Sequence, residues 1–237
     1  MATRPSPAKK KSRAGKAAGK KPARPRKSYH HGNLREVLIA ATLKLVEEGG
    51  AEAVTVREAA RRAGVSPGAP FRHFPNRTAL MTAVAEEATH RLHAAIFEAV
   101  ERAGADDPLA RLRVLGLAYL RWAHDNPTHF AVASNRSLID YDRSQSLQRE
   151  NGEIQDLMSR LLEDAQRQGL APAMDAASIR LAGRALVYGL ARMRIDGHLP
   201  QWGVADDQYA RAVDAVLDFF IAGVSRGSKA TKPHALC

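Results

Sequence analysis

The chain carries a single cysteine, Cys237, among its 237 residues. One thiol cannot close an intramolecular disulfide, so a reducing compartment is the natural setting and the lone thiol needs no role. No uninterrupted apolar run is long enough to span a bilayer. Positive charge at the N-terminus is followed by no apolar segment, which argues against a secretory signal and for the cytoplasm. Signatures of catalysis are missing as well. There is no glycine-rich phosphate loop, no G-x-S-x-G and no H-E-x-x-H. His90 and His93 fall on one helix face, but no cysteine or carboxylate stands near them in sequence at metal-ligand spacing, so a solvated face is expected. No catalytic residue, cofactor or metal is therefore expected.

Acid is absent from the first 31 residues, which hold 11 Lys or Arg. The chain has 36 basic and 25 acidic residues, so removing those 11 leaves 25 against 25. The whole excess of +11 thus sits in one segment. That segment has no leucine, isoleucine or valine, and cannot bury enough apolar surface to offset its chain entropy. It is expected to be a disordered arm for a polyanion, with a solubilising leader as the plainer reading. His30 and His31 stand beside it and fit phosphate better than metal.

From Asn33 the pattern becomes helical, with a capping box from Asn33 to Glu36 and a stop at Gly49 or Gly50. Thr55 and Glu58 form a second capping box, opening a short helix with Val56, Ala59, Ala60 and Ala63 inward and Gly64 at its end. Ser66 and Pro67 are expected to start a third helix, closed by Pro75, and Asn76 to start a long amphipathic fourth. Two short helices joined by a tight glycine turn read as a helix-turn-helix over about residues 55–74. Four further helical stretches follow: one capped by Asp106 or Asp107, one ending at Gly169, one running from Asp175 to Gly197, and a last one before Ser225. No alternating β-branched run appears, so the fold class is all-α.

Residues 33–92, with the Thr cap, the Ala-Gly turn, "GVS", "FRHF" and a basic residue before the next helix, resemble the DNA-binding domain of TetR/AcrR-type transcriptional regulators. The stretch "RALVYGLARMRIDG" resembles the subgroup with a Trp, His, Gly signature, with Arg184 near the tryptophan's place, Tyr188 in the histidine's and Gly189 agreeing. The resemblance implies a basic arm (1–31), a helix-turn-helix domain (32–92), a larger ligand-binding and dimerisation domain (93–225) and a tail (226–237). It implies double-stranded DNA, a second copy of the chain and a small-molecule effector as partners, and the bacterial nucleoid as the place of action. The implied activity is a ligand-responsive repressor on a palindromic operator. A transcriptional activator and a DNA-compacting protein relying on the arm are the alternatives.

On the expected DNA face, Ser66, Pro67, Gly68 and Ala69 are small enough for close approach to a major groove, and Ala69 or Pro70 could touch a thymine methyl. Arg72 could grip guanine or phosphate. His73 fits phosphate by resemblance. Arg77, with Thr78 beside it, opens a helix whose N-terminus favours an anion, and Thr55 does the same one helix earlier. Arg57, Arg61 and Arg62 form a basic flank, with a solvated face as the alternative for the last two. At Phe71 the family usually has tyrosine, so a phosphate-bonding hydroxyl is missing while the ring packing is kept. In the larger half, Tyr119, Trp122, His129, Phe130, Tyr188 and Met193 are candidate effector-lining residues, with ordinary core as the alternative. Ala182, Gly183, Ala185 and Gly189, with Val213, Val216, Leu217 and Phe220, are candidates for pairing in a four-helix bundle.

Overall fold

The computed structural model describes residues 1–2, 34–104, 106–173 and 175–226. The expected arm, the Asn33 cap and the C-terminal tail with Cys237 lie outside the described residues, apart from Met1, Ala2 and Arg226. Among the described residues there are eight α-helices and no strand, the all-α class expected. None of these helices is long and apolar enough to cross a membrane.

Helix α1 (Leu34–Gly49) stops where Gly50 takes φ 72°. Helix α2 (Val56–Arg62) is capped by Thr55, whose hydroxyl accepts from the Glu58 amide at 3.0 Å. Only this half of the expected capping box forms, because the Glu58 carboxylate turns to Arg61 instead. Gly64 closes α2 at φ 69°, and the Val65 amide reaches back to the Ala60 carbonyl at 3.1 Å. A Cβ on Gly64 would meet nothing within 4 Å, so the glycine answers to backbone conformation rather than to close packing.

The expected third helix is shorter than its sequence implies. It is a 3-10 turn, Ala69–Arg72, with Gly68 rather than Ser66 at its N-cap. Pro67 and Pro70 remove amides that a longer α-helix would use, and the His73 and Phe74 amides both close onto the Pro70 carbonyl. Helix α3 (Arg77–Ala103) follows, with the Asn76 side chain accepting from the Ala79 amide at 2.8 Å. It crosses residue 92 without a break.

The remaining helices are α4 (Pro108–Asp125), capped by Asp107, then α5 (Pro127–Ala133) and α6 (Gln145–Arg167). After them come α7 (Ala176–Ile195), capped by Asp175, and α8 (Tyr209–Arg226). Sequence periodicity missed α5, which is only seven residues long and follows α4 across Asn126. Two apolar cores result. One gathers Leu38, Val56, Ala59, Phe74, Leu80 and Met81 around α1–α3 and reaches into Val132, Ile139 and Leu147. The other gathers Ala88, Ile96, Leu112, Trp122, Leu161 and Leu217 from α3, α4, α6 and α8. Helix α3 belongs to both, so the two halves share one continuous rod.

Candidate nucleic-acid interface and effector cavity

The "FRHF" tetrapeptide divides its work by exposure. Phe74 is 3% exposed and pins the turn into the N-terminal core. Phe71 is 44% exposed, and Arg72 and His73 are exposed beside it. The Phe71 ring therefore lies at the surface, with only part of it packed against the protein. Thr55, Arg57, Ser66, Pro67, Gly68 and Thr78 are exposed too, and Ala69 is half-buried. Pro70 is buried, which removes it as a thymine contact and makes it a wedge under the turn.

The arginines sort by partner. Arg57 and Arg72 form no ion pair among the described residues. Arg62 is not a free flank, since its guanidinium meets the Glu48 carboxylate on α1. Arg61 pairs with Glu58 at the surface, so the solvated-face alternative fits it. Arg77 departs furthest from expectation. Its Nε donates to the Val54 carbonyl at 3.1 Å and its Nη2 to the Ala51 carbonyl at 2.9 Å. Those carbonyls belong to the link between α1 and α2, so Arg77 fastens α3 to that link.

In the larger half the aromatics converge. Tyr119, Trp122 and Phe130 line a cavity of about 230 Å³, walled also by Thr89 and Leu92 of α3. Tyr119 and Phe130 meet edge to face at 6.1 Å, and Tyr188 tilts against Phe130 at 5.9 Å from behind. Sequence reasoning gave Arg136, Tyr141, Asn151 and Arg184 no place in this wall, because they come from three separated stretches, the α5–α6 link, α6 and α7. Arg184 lies over the Tyr119 ring at 4.9 Å. Burial raises the Tyr119 phenol pKa, with the Arg184 charge acting against it.

Three of the expected lining residues stand outside this wall, Tyr188 being the one that still touches it through Phe130. Met193 is not part of this cavity's wall. His129 faces a separate cleft with Arg91 and Glu87. Its Nε2 is buried without a hydrogen-bond partner. Burial first, and Arg91 second, hold its pKa below 6.5, against a smaller opposing pull from Glu87. The unfolded chain then binds a proton that the folded one resists. Stability is expected to fall as pH drops below about 6.5, and His129→Gln should flatten that slope. Denaturant titrations at neutral and mildly acid pH measure it, and an unchanged slope in the variant would remove His129 as the cause.

His90 and His93 also acquire neighbours that sequence spacing concealed. His90 Nδ1 is 3.1 Å from Glu150 Oε1 and His93 Nε2 is 2.6 Å from Glu153 Oε2, both across to α6. No group of three or more such side chains close enough for a metal occurs among the described residues.

Helices α7 and α8 show which small residues face out. Gly183 faces inward, where an added Cβ would lie 3.2 Å from Phe220, and Val213 and Leu217 are core. These three leave the expected pairing surface. Ala182 and Ala185 remain exposed, joined by Leu181 at 70% and Phe219 at 83% exposure.

Known proteins give this geometry its context. A model of bacterial regulatory proteins of the tetR family matches residues 38–84, and a model of the tetracyclin repressor-like C-terminal domain matches residues 112–220. No curated protein sequence matches the chain. A protein of unknown function from Rhodococcus sp. RHA1 is 32% identical over 84% of this chain and 100% of its own, with a TM-score of 0.70. The TetR family transcriptional regulator PfmR from Thermus thermophilus shares the fold at 20% identity and TM-score 0.61, over 81% of this chain and 99% of its own. The ketosteroid transcriptional regulator KstR2 of Mycobacterium tuberculosis does so at 17% identity and TM-score 0.63, over 81% and 95%. With a helix-turn-helix in the N-terminal part, helices around a cavity in the C-terminal part, and matches to both the N-terminal and the C-terminal tetR models, the chain belongs to the tetR family of bacterial regulatory proteins.

Proposed function

We propose that the protein is a ligand-responsive repressor that binds a palindromic operator as a homodimer. The observation that carries this reading is the division of α3 between the two cores. Thr89 and Leu92 border the cavity, while Leu80 and Met81 sit fully buried in the core beneath the DNA face. A ligand that shifts the middle of this rod must strain one core or the other, because close-packed interiors resist gradual deformation.

Polar ties run the same way. Glu86 on α3 meets Arg35 of α1 at 3.0 Å and accepts from the Ser144 hydroxyl, the cap of α6, at 2.8 Å. Thr82 Oγ1 accepts the Asp140 amide at 2.9 Å. Ligand binding would favour a conformer whose two recognition turns no longer match the half-site spacing.

In this reading Thr55, Arg57, Ser66, Pro67, Gly68, Ala69, Phe71, Arg72, His73 and Thr78 meet DNA, and Arg77 holds their scaffold. The exposed Leu181, Ala182 and Ala185 on α7 and Phe219 on α8 favour pairing through these helices, since large exposed apolar side chains gain by being covered. The basic N-terminal segment adds a sequence-independent, salt-sensitive attraction to phosphate.

Selection of bound sequences from a random DNA pool tests the proposal. A short palindrome supports it, and coating of DNA without preference would point to compaction instead. The exposed Phe71 ring supports a finer test. Phe71→Tyr adds a hydroxyl at the expected phosphate boundary and should tighten operator binding by up to about 1 kcal/mol. Unchanged affinity in a titration would mean the ring does not reach the backbone.

A further inference from the structure

We propose that the effector is a small amphipathic carboxylate, its charged head held by Arg184 and its apolar body lying among the aromatics of the cavity. This rests on the ligand-responsive reading above and narrows it to one chemistry. Arg184 stands where three spaces meet. It borders the aromatic cavity of about 230 Å³, an apolar slot of about 50 Å³ between α4, α7 and α8, and a groove of about 310 Å³ along α6 and α7. No aspartate or glutamate lines any of the three.

The other arginines around these spaces are engaged. Arg113 is neutralised by Asp214 and Asp218 at 2.8 and 2.6 Å. Arg180 donates to the Ser159 hydroxyl. Arg136 stacks over Tyr141 at 3.4 Å, with Asp142 at 3.9 Å beyond it. Arg184 is exposed and has no carboxylate partner among the described residues; it lies against the faces of Tyr119 and Tyr188, at 4.9 and 5.6 Å, and hydrogen-bonds the Tyr119 phenol.

A guanidinium so placed offers a bidentate fork to a planar anion. The raised pKa of the Tyr119 phenol keeps its hydroxyl as a donor at neutral pH. Because Arg184 is exposed, water solvates its charge when the cavity is empty; a carboxylate adds an ion pair that a neutral ligand lacks, and a cation would meet repulsion with no acid to answer it. The volume also bounds size, since cavities for drug-sized molecules hold roughly 300–1,000 Å³.

The test uses the full chain free of DNA, so its outcome is separate from that of the DNA selection. The probes are 3-phenylpropionate, 3-phenylpropanol and 3-phenylpropylamine, with octanoate and octanol as an aliphatic arm. Trp122 fluorescence, read in a Trp202→Phe background, reports binding. The acids are expected to bind at least about tenfold more tightly than the matched alcohols, the worth of a charge-assisted hydrogen bond. Arg184→Gln should bring acid and alcohol to the same affinity without shifting the melting point of the unliganded protein. Arg184→Lys, which keeps charge but loses the fork, should retain part of the preference and serves if the glutamine variant folds poorly. Equal binding of acid and alcohol, tighter binding of the amine, or no binding by any probe overturns the proposal. A palindrome recovered in the DNA selection would then leave the regulator itself standing.

Discussion

Phe74→Ala is expected to lower the stability of the N-terminal unit by about 3–5 kcal/mol, the usual cost of truncating a buried phenylalanine. The ring is 3% exposed and sits in the same cluster as Leu38, Val56 and Leu80. It is the one fully buried anchor of the Phe-Arg-His-Phe segment, and its amide closes onto the Pro70 carbonyl at 2.8 Å. With domains holding only about 5–15 kcal/mol in all, such a loss should leave α1, α2 and the first half of α3 partly unfolded. Denaturant titration followed by far-ultraviolet circular dichroism would show an early transition. A loss under about 1 kcal/mol would mean that the core closes over the gap and that Phe74 is not the anchor. DNA affinity should collapse with the fold, at every sequence alike.

Arg72→Ala should separate binding from folding. Arg72 is exposed and has no ion pair among the described residues, so its removal should leave stability within about 0.5 kcal/mol of the parent. If it grips a guanine, each half-site loses about 1–3 kcal/mol, and a dimer loses about twice that, with preference relaxed at one position per half-site. If it meets phosphate instead, affinity falls similarly on all sequences and the salt dependence flattens. Competition binding against single-base operator variants at two salt concentrations distinguishes the two. An unchanged affinity on every operator would remove Arg72 from the interface.

The local vocabulary of the chain was readable without coordinates. Thr55, Asn76, Asp107 and Asp175 cap the helices they were expected to cap, because a cap is a bond between residues two or three apart. Gly50, Gly64, Gly169 and Gly197 take positive φ where a chain reversal demanded it. Errors began where a side chain had a choice of partner. Arg77 opens a helix and by its position alone is free for an anion, yet its reach is filled by the Val54 and Ala51 carbonyls, more than 20 residues away. Arg62 met Glu48 by the same route. Val213 and Leu217 read as a pairing stripe, but an apolar stripe states only that something covers it, and here α4 and α7 of the same chain do so.

Sequence alone determined the class of fold, most of its long helices and the location of a helix-turn-helix, since periodicity, caps and turn glycines act over a few residues. Tertiary structure alone decided that Phe71 faces out while Phe74 faces in, that α3 serves two cores, and that Arg184, Tyr119 and Phe130 share one cavity. The physical reason is range: caps and turns are settled by neighbours along the chain, whereas burial, charge pairing and cavities are settled by whichever distant segments packing brings against them.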